Sequence, residues 1–215
     1  AEVEEHHNEL HTSAVRIEDN YENIELGFGE FLASKKNDHL LWTHTIKDAL
    51  INESAEMMAG LQLDHTLCGL GQWLYSDEVA AKRAADSQFD RLISSILQPH
   101  EDLHSGGETI ESLIAGGNAA EAYGFYNENT AVSADATLAG VDSIITWYQA
   151  RVVRYNEAKR IFSTDTAGAL SAVQANLGDI ISTVSQNIMT DEVMLDGAQR
   201  TQIVITALGI VSILL

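Results

Sequence analysis

The sequence of 215 residues contains one cysteine, one proline and only twelve basic residues. Each scarcity excludes something. A single Cys68 cannot form an intramolecular disulfide, so it carries no direct information about redox compartment. It is left as a small buried hydrophobe, a reactive thiolate or a metal ligand. With only Pro99, few aromatics and few β-branched runs, the remaining mix of Ala, Leu, Glu, Gln and Asp favours long helices. The formal charge of −20 argues against a nucleic-acid partner, because neutralising phosphates takes clustered Lys and Arg. It also disfavours docking on anionic lipid headgroups, and its ordinary meaning is a solvated helix surface. No signal peptide is visible: Ala1 opens straight into acidic residues and histidines, without a basic region or an apolar stretch.

Apolar residues at helical spacing are abundant. Leu10, Ala14, Ile17, Tyr21, Ile24, Phe28 and Phe31 form one face, and the pattern continues through Leu40, Leu41, Ile46, Ala49 and Leu50. One helix of some fifty residues is expected there. Residues 51–66 are poorly periodic, the CGLGQW hexapeptide at 68–73 predicts a short helix or turn, and Asp77-Glu78 open a further helix. Phe89, Ile93, Ile96, Leu103, Ile110 and Leu113 continue helically to about residue 115, with Pro99 predicting a kink or fresh start near Gln98. Gly116-Gly117-Asn118 is the clearest break. Two helices, about 119–163 and 165–215, are expected beyond it, with Ser163-Thr164-Asp165 as a joint through which helix could also run. The fold class predicted is all-α: a long-helix antiparallel four-helix bundle with short helical insertions around residues 52–86.

His100 and His104 stand four apart in HEDLH, so on a helix both imidazoles face one way. That is the spacing two metal ligands on one helix require, although exposed pairs also arise by chance. HEDLH carries the outer histidines and adjacent glutamate seen in zinc proteases, but those keep an open coordination position. Cys68 adds a thiolate, and three histidines with one cysteine close a tetrahedral zinc set. The fourth donor falls to His39, His44 or His65, and periodicity does not choose among them. His6, His7 and His11 offer a further pair on a helix expected to be exposed.

Three motifs then stand in order: His39-Leu-Leu-Trp42, Cys68-Gly-Leu-Gly71-Gln-Trp73 and His100-Glu-Asp-Leu-His104. They resemble the chemoreceptor zinc-binding domain, whose pattern is HxxW, Cx[LF]GxW and HxxxH. Every signature position is matched over residues 36–106, with successive ligand gaps of 29, 32 and 4. The resemblance implies zinc ligands at His39, Cys68, His100 and His104, and it places Trp42 and Trp73 where aromatics wall the site. The stretch 147–166, with the segment leading to the C-terminal apolar run, is similar to membrane-proximal helices of bacterial chemoreceptor sensor regions.

Ile203–Leu215 reads IVITALGIVSILL, without charge after Arg200. Thirteen residues cover only about two-thirds of a bilayer core, so the start of a transmembrane helix at 201–215 is expected. The family's zinc domain often sits in the cytoplasm. The departure here, a zinc motif inside long helices leading to an apparent span, suggests a periplasmic sensor region (1–200) at a bacterial inner membrane. The expected function is a zinc-binding, non-enzymatic sensory region of a methyl-accepting chemoreceptor, reporting zinc, redox or pH state by helix rearrangement as a homodimer held to the membrane by flanking transmembrane helices. Two alternatives stay open. Zinc is purely structural and a small molecule binds near Trp147, Tyr148 and Tyr155, for a chemoreceptor, histidine kinase or diguanylate cyclase. Or the chain is a soluble helical metal-binding protein.

Overall fold

The computed structural model describes residues 2–188 and 191–214, and all regular structure among them is helical. The helices are α1 (Glu2–Asn20), α2 (Phe28–Ile51), α3 (Gly69–Leu74), α4 (Asp77–Ala85), α5 (Ser87–Ala115), α6 (Ala119–Phe125), α7 (Ala131–Ile161), α8 (Ala167–Asn187) and α9 (Asp191–Leu214). They fall into two compact units, one formed by Glu22–Tyr155, the other by the described residues of 1–21 and 156–215. In the latter, α1 lies along α8. Arg16 pairs with Asp165 at 2.7 Å and Thr166 Oγ1 donates to Ser13 Oγ at 2.9 Å.

The expected fifty-residue helix is interrupted at residues 21–27. Tertiary contacts outcompete helix there. Glu22 pairs with Arg151 (2.7 Å) and Arg154 (3.1 Å), the Glu25 carboxylate takes Lys82 (2.8 Å), and the Glu25 carbonyl accepts from Tyr148 Oη (2.8 Å). Pro99 does not end a helix: α5 runs through it. Downstream, Ser163-Thr164-Asp165 is no joint either. A π-helical turn at Phe162–Thr166 carries the helix onward, and the chain first turns extended at Ile188 (φ −74°, ψ 119°).

Unit 22–155 is built on three long helices. The first halves of α2 and α5 share one apolar cluster (Phe28, Leu32, Phe89, Ile93, Ile96). Their second halves share another (Trp42, Ile46, Leu50, Leu103, Ile110, Ile114). Hence α2 and α5 run in the same direction, and residues 52–86 form the return that a parallel pair requires. α7 runs antiparallel to both, giving Ala134 to the second cluster and Val141 and Ile144 to the first. Each fully buried aliphatic side chain contributes roughly 1.5–3 kcal/mol. Capping sharpens the short elements: Ser76 Oγ accepts from Val79 N at 3.2 Å, and Asp86 from Gln88 N at 2.8 Å.

At 201–215, where the start of a transmembrane helix is expected, no complete span is described. Among the described residues no helix is long and apolar enough to cross a membrane. The apolar run fills only the second half of α9, whose first half carries Asp191, Glu192, Asp196 and Arg200, with Arg200 paired to Asp196 at 2.9 Å. The inner-membrane, periplasmic placement built on that run is therefore not supported. Leu215 lies outside the described residues.

Candidate metal centre

His39 sits midway along α2, where Lys35 precedes it by one turn. Its Nδ1–H donates to the Lys35 carbonyl at 2.8 Å, which leaves Nε2 as a lone pair turned inward. His100 and His104 occupy successive turns of α5. His104 Nδ1–H donates to the Gln62 carbonyl at 3.0 Å, and its Nε2 lone pair also faces inward. The three histidines are buried, at 4%, 0% and 1% exposure, while Cys68 stays partly exposed. Cys68 caps the N-terminus of α3, with Sγ accepting from Gly71 N at 3.2 Å. This turn requires Gly71, since a Cβ there would run into the His65 carbonyl.

The four donor atoms converge. His39 Nε2 lies 3.1 Å from His100 Nε2 and 3.4 Å from His104 Nε2, and Cys68 Sγ lies 3.2 Å from His100 Nε2 and 3.8 Å from His39 Nε2. All four lie within 4.8 Å of one another. Zinc bonds of about 2.0 Å to nitrogen and 2.3 Å to sulfur give tetrahedral edges of about 3.3 Å N···N and 3.5 Å N···S. The observed spacings bracket both values. The backbone acceptors also fix His39 and His104 with lone pairs directed at one point, an arrangement that repels itself unless a cation stands between them.

Electrostatics agree with metal ligation. Burial, then the neighbouring His104 and His39 charges, pushes His100 down to about 3. Burial, then His39, pushes His104 down to about 4, and burial lowers His39 as well. The imidazoles are thus neutral, as ligands must be. Burial pushes the Cys68 thiol up, partly opposed by the Gly71 and Leu70 N–H groups; a bound cation reverses that preference and favours the thiolate. His100 Nδ1 is buried without a partner, a cost on the order of 1–3 kcal/mol that the bond at Nε2 must offset.

Residues 39–110 match the family model of the chemoreceptor zinc-binding domain. This segment is a chemoreceptor zinc-binding domain. No curated protein and no solved structure matches the chain. The donor set of the domain is three histidines and one cysteine, and its metal is zinc.

Geometry also decides what spacing left open. His44 is exposed and only 4.0 Å from Asp48, and His65 contributes its carbonyl to Cys68 Sγ (3.5 Å) with its ring centroid 6.2 Å from His100. His39 alone of the three enters the donor set. Glu101, the glutamate of HEDLH, is exposed, away from the two histidines that face inward. Among the described residues no second metal-ligand group forms, and His7 and His11 meet edge to face at 4.7 Å. Trp42 does wall the zinc-binding domain's site, its ring 5.1 Å from His104. Trp73 instead packs at tilted and edge-on angles among Phe28, Phe31 and Phe89.

Sequence reasoning missed the supporting shell. Trp42 Nε1–H donates to the same Gln62 carbonyl that holds His104, at 3.0 Å. Backbone acceptors leave no trace in residue type. Gly107 did offer a signal: glycine inside a helix costs stability, and a Cβ there would stand 2.7 Å from the Trp42 ring.

Proposed function

We propose that the zinc-binding domain is a sensory element, in which binding or loss of zinc alters how α2, α3 and α5 pack. One observation carries this reading. The donors come from three separately anchored segments and meet where the two apolar clusters of unit 22–155 adjoin along α2 and α5. Zinc supplies the charge that holds four donors together, and the protein's own residues do the rest. Lys35 and Gln62 orient two imidazoles, Gly71 N holds the thiolate, and Trp42 ties the Gln62 segment to α2.

A closed four-donor set leaves no position for a reacting water, so the proposal assigns no catalysis. Cys68 is the donor exposed enough to be modified. A peroxide-class oxidant that converts its thiolate to sulfenic acid removes one ligand and connects redox state to the same packing change. Within this proposal the chain acts as a homodimer, and the exposed Leu170, Leu177 and Val184, seven residues apart on α8, are the face that a second copy would cover.

The test is to titrate free zinc in a chelator buffer while following hydrogen exchange of the full chain. A sensor shows exchange in α2 and α5 changing reversibly with occupancy. If the ion stays bound until the protein unfolds, zinc is a staple and the sensory proposal fails.

A further inference from the structure

A cavity of about 620 Å³ opens beside the first turns of α2 and α5, within the size range that encloses small organic ligands. It lies entirely in unit 22–155. Its walls are the rings of Phe28, Phe89, Trp147 and Tyr148, with Phe28 edge-on to Tyr148 (5.3 Å) and Phe89 against Trp147 (5.1 Å). Carboxylates from Glu25, Glu78 and Asp86 line it too, with two cations, Lys82 and Arg151.

Both cations are held in the same way. Lys82 Nζ sits 2.8 Å from Glu25 and 2.6 Å from Glu78, and 5.5 Å above the Phe28 ring. Arg151 pairs with Glu22 (2.7 Å) and Asp86 (3.2 Å) and lies 4.7 Å from the Trp147 centroid. Two carboxylates and an aromatic face are the surroundings that recognise an organic cation. The cavity therefore holds two such cages, each filled by a tethered side chain. Lys82 is 40% exposed on a flexible stem, so it can withdraw into water at little cost. An anion would instead have to enter among three carboxylates and break the pairs of both cations.

We propose that this cavity binds a small organic ammonium compound with a flat apolar body. Its ammonium group replaces Lys82 Nζ between Glu25 and Glu78, and its body lies along the part-exposed rings of Trp147 and Tyr148. Trp73 packs on both Phe28 (5.6 Å) and Phe89 (6.4 Å) and stands on α3, the helix that Cys68 caps. A ligand against Tyr148 and Trp147, which pack on those two rings, is thus linked to the segment that presents the thiolate. The site itself does not depend on the zinc-sensing proposal.

The experiment is calorimetric titration of the full, zinc-loaded chain with 2-phenylethylammonium, and with 3-phenylpropanoate as the anionic counterpart. Saturable binding of the ammonium probe and none of the carboxylate is expected. Glu78→Gln weakens binding about tenfold by removing one charged partner, Lys82→Met tightens it by removing the internal competitor, and Trp147→Ala abolishes it. Equal or tighter binding of the carboxylate overturns the proposal, as does absence of saturable ammonium binding in both the wild-type chain and Lys82→Met. Zinc content and helicity are measured on each variant. A binding failure with zinc intact counts against the cavity alone, and Glu78→Gln and Lys82→Met alter exposed side chains if Trp147→Ala does not fold.

Discussion

Trp42 and His104 share one acceptor, the Gln62 carbonyl, so a tryptophan outside the donor set aims a ligand within it. Trp42→Phe keeps an aromatic ring, though a smaller one, and loses the N–H. Partners of this kind typically change metal affinity by 10–100-fold, and a zinc affinity about tenfold weaker is expected by competition with a chromogenic chelator. Gly107→Ala forces a methyl toward the same ring and is expected to cost about 1–3 kcal/mol in chemical denaturation. The histidines set a pH dependence whose sign follows from burial. His100 and His104 are held at about 3 and about 4, below the ordinary 6.5, so the unfolded chain binds their protons first as pH falls. The stability these two histidines contribute to the zinc-free protein is fully present above about pH 6.5 and is lost as pH drops from there through about 4 and 3. Chelated protein is expected to unfold at lower denaturant at pH 5.5 than at pH 7.5; equal midpoints would contradict it. The histidine pair on α5 and the thiol could be found from spacing and residue type. Choosing His39 over His44 and His65 took motif resemblance, because all three stand at helix or turn positions that periodicity treats alike.

At the scale of elements, the zinc-binding domain depends on α2 and α5 running the same way, with donors placed between two apolar clusters. Ile96 ends the first cluster one turn before His100 and packs so tightly on α7 that Gly140 has no room for a Cβ. Ile96→Ala is expected to cost about 2–5 kcal/mol and to lower zinc affinity with it, measured on the same protein preparation. The pieces of this unit were legible. Gly116-Gly117-Asn118 ends α5, and the irregular stretch at 51–66 and the short helices near 69–85 stand where the hydrophobic pattern fails. The interruption at 21–27 was not legible, because Ile24 and Phe28 keep helical spacing while residues over a hundred positions away hold the segment: Arg151 and Arg154 take the Glu22 carboxylate, and Tyr148 takes the Glu25 carbonyl that helix would use. Of the two outcomes expected near Pro99, the fresh helix start does not occur. Packing on both sides of the proline holds α5 together at the loss of one backbone hydrogen bond.

For the whole molecule, the two units divide the consequences of metal. Zinc joins only elements of unit 22–155, so chelation is expected to speed amide exchange in α2, α3 and α5 far more than in α1 or α8. Equal acceleration in both units would contradict that division. X-ray absorption at the zinc edge tests the central claim most directly. The zinc-loaded chain is predicted to hold one ion with three nitrogens near 2.0 Å and one sulfur near 2.3 Å, and Cys68→Ala to lose the sulfur shell and the stoichiometric ion together. A spectrum without sulfur, or a Cys68→Ala protein that keeps full zinc, would contradict the site.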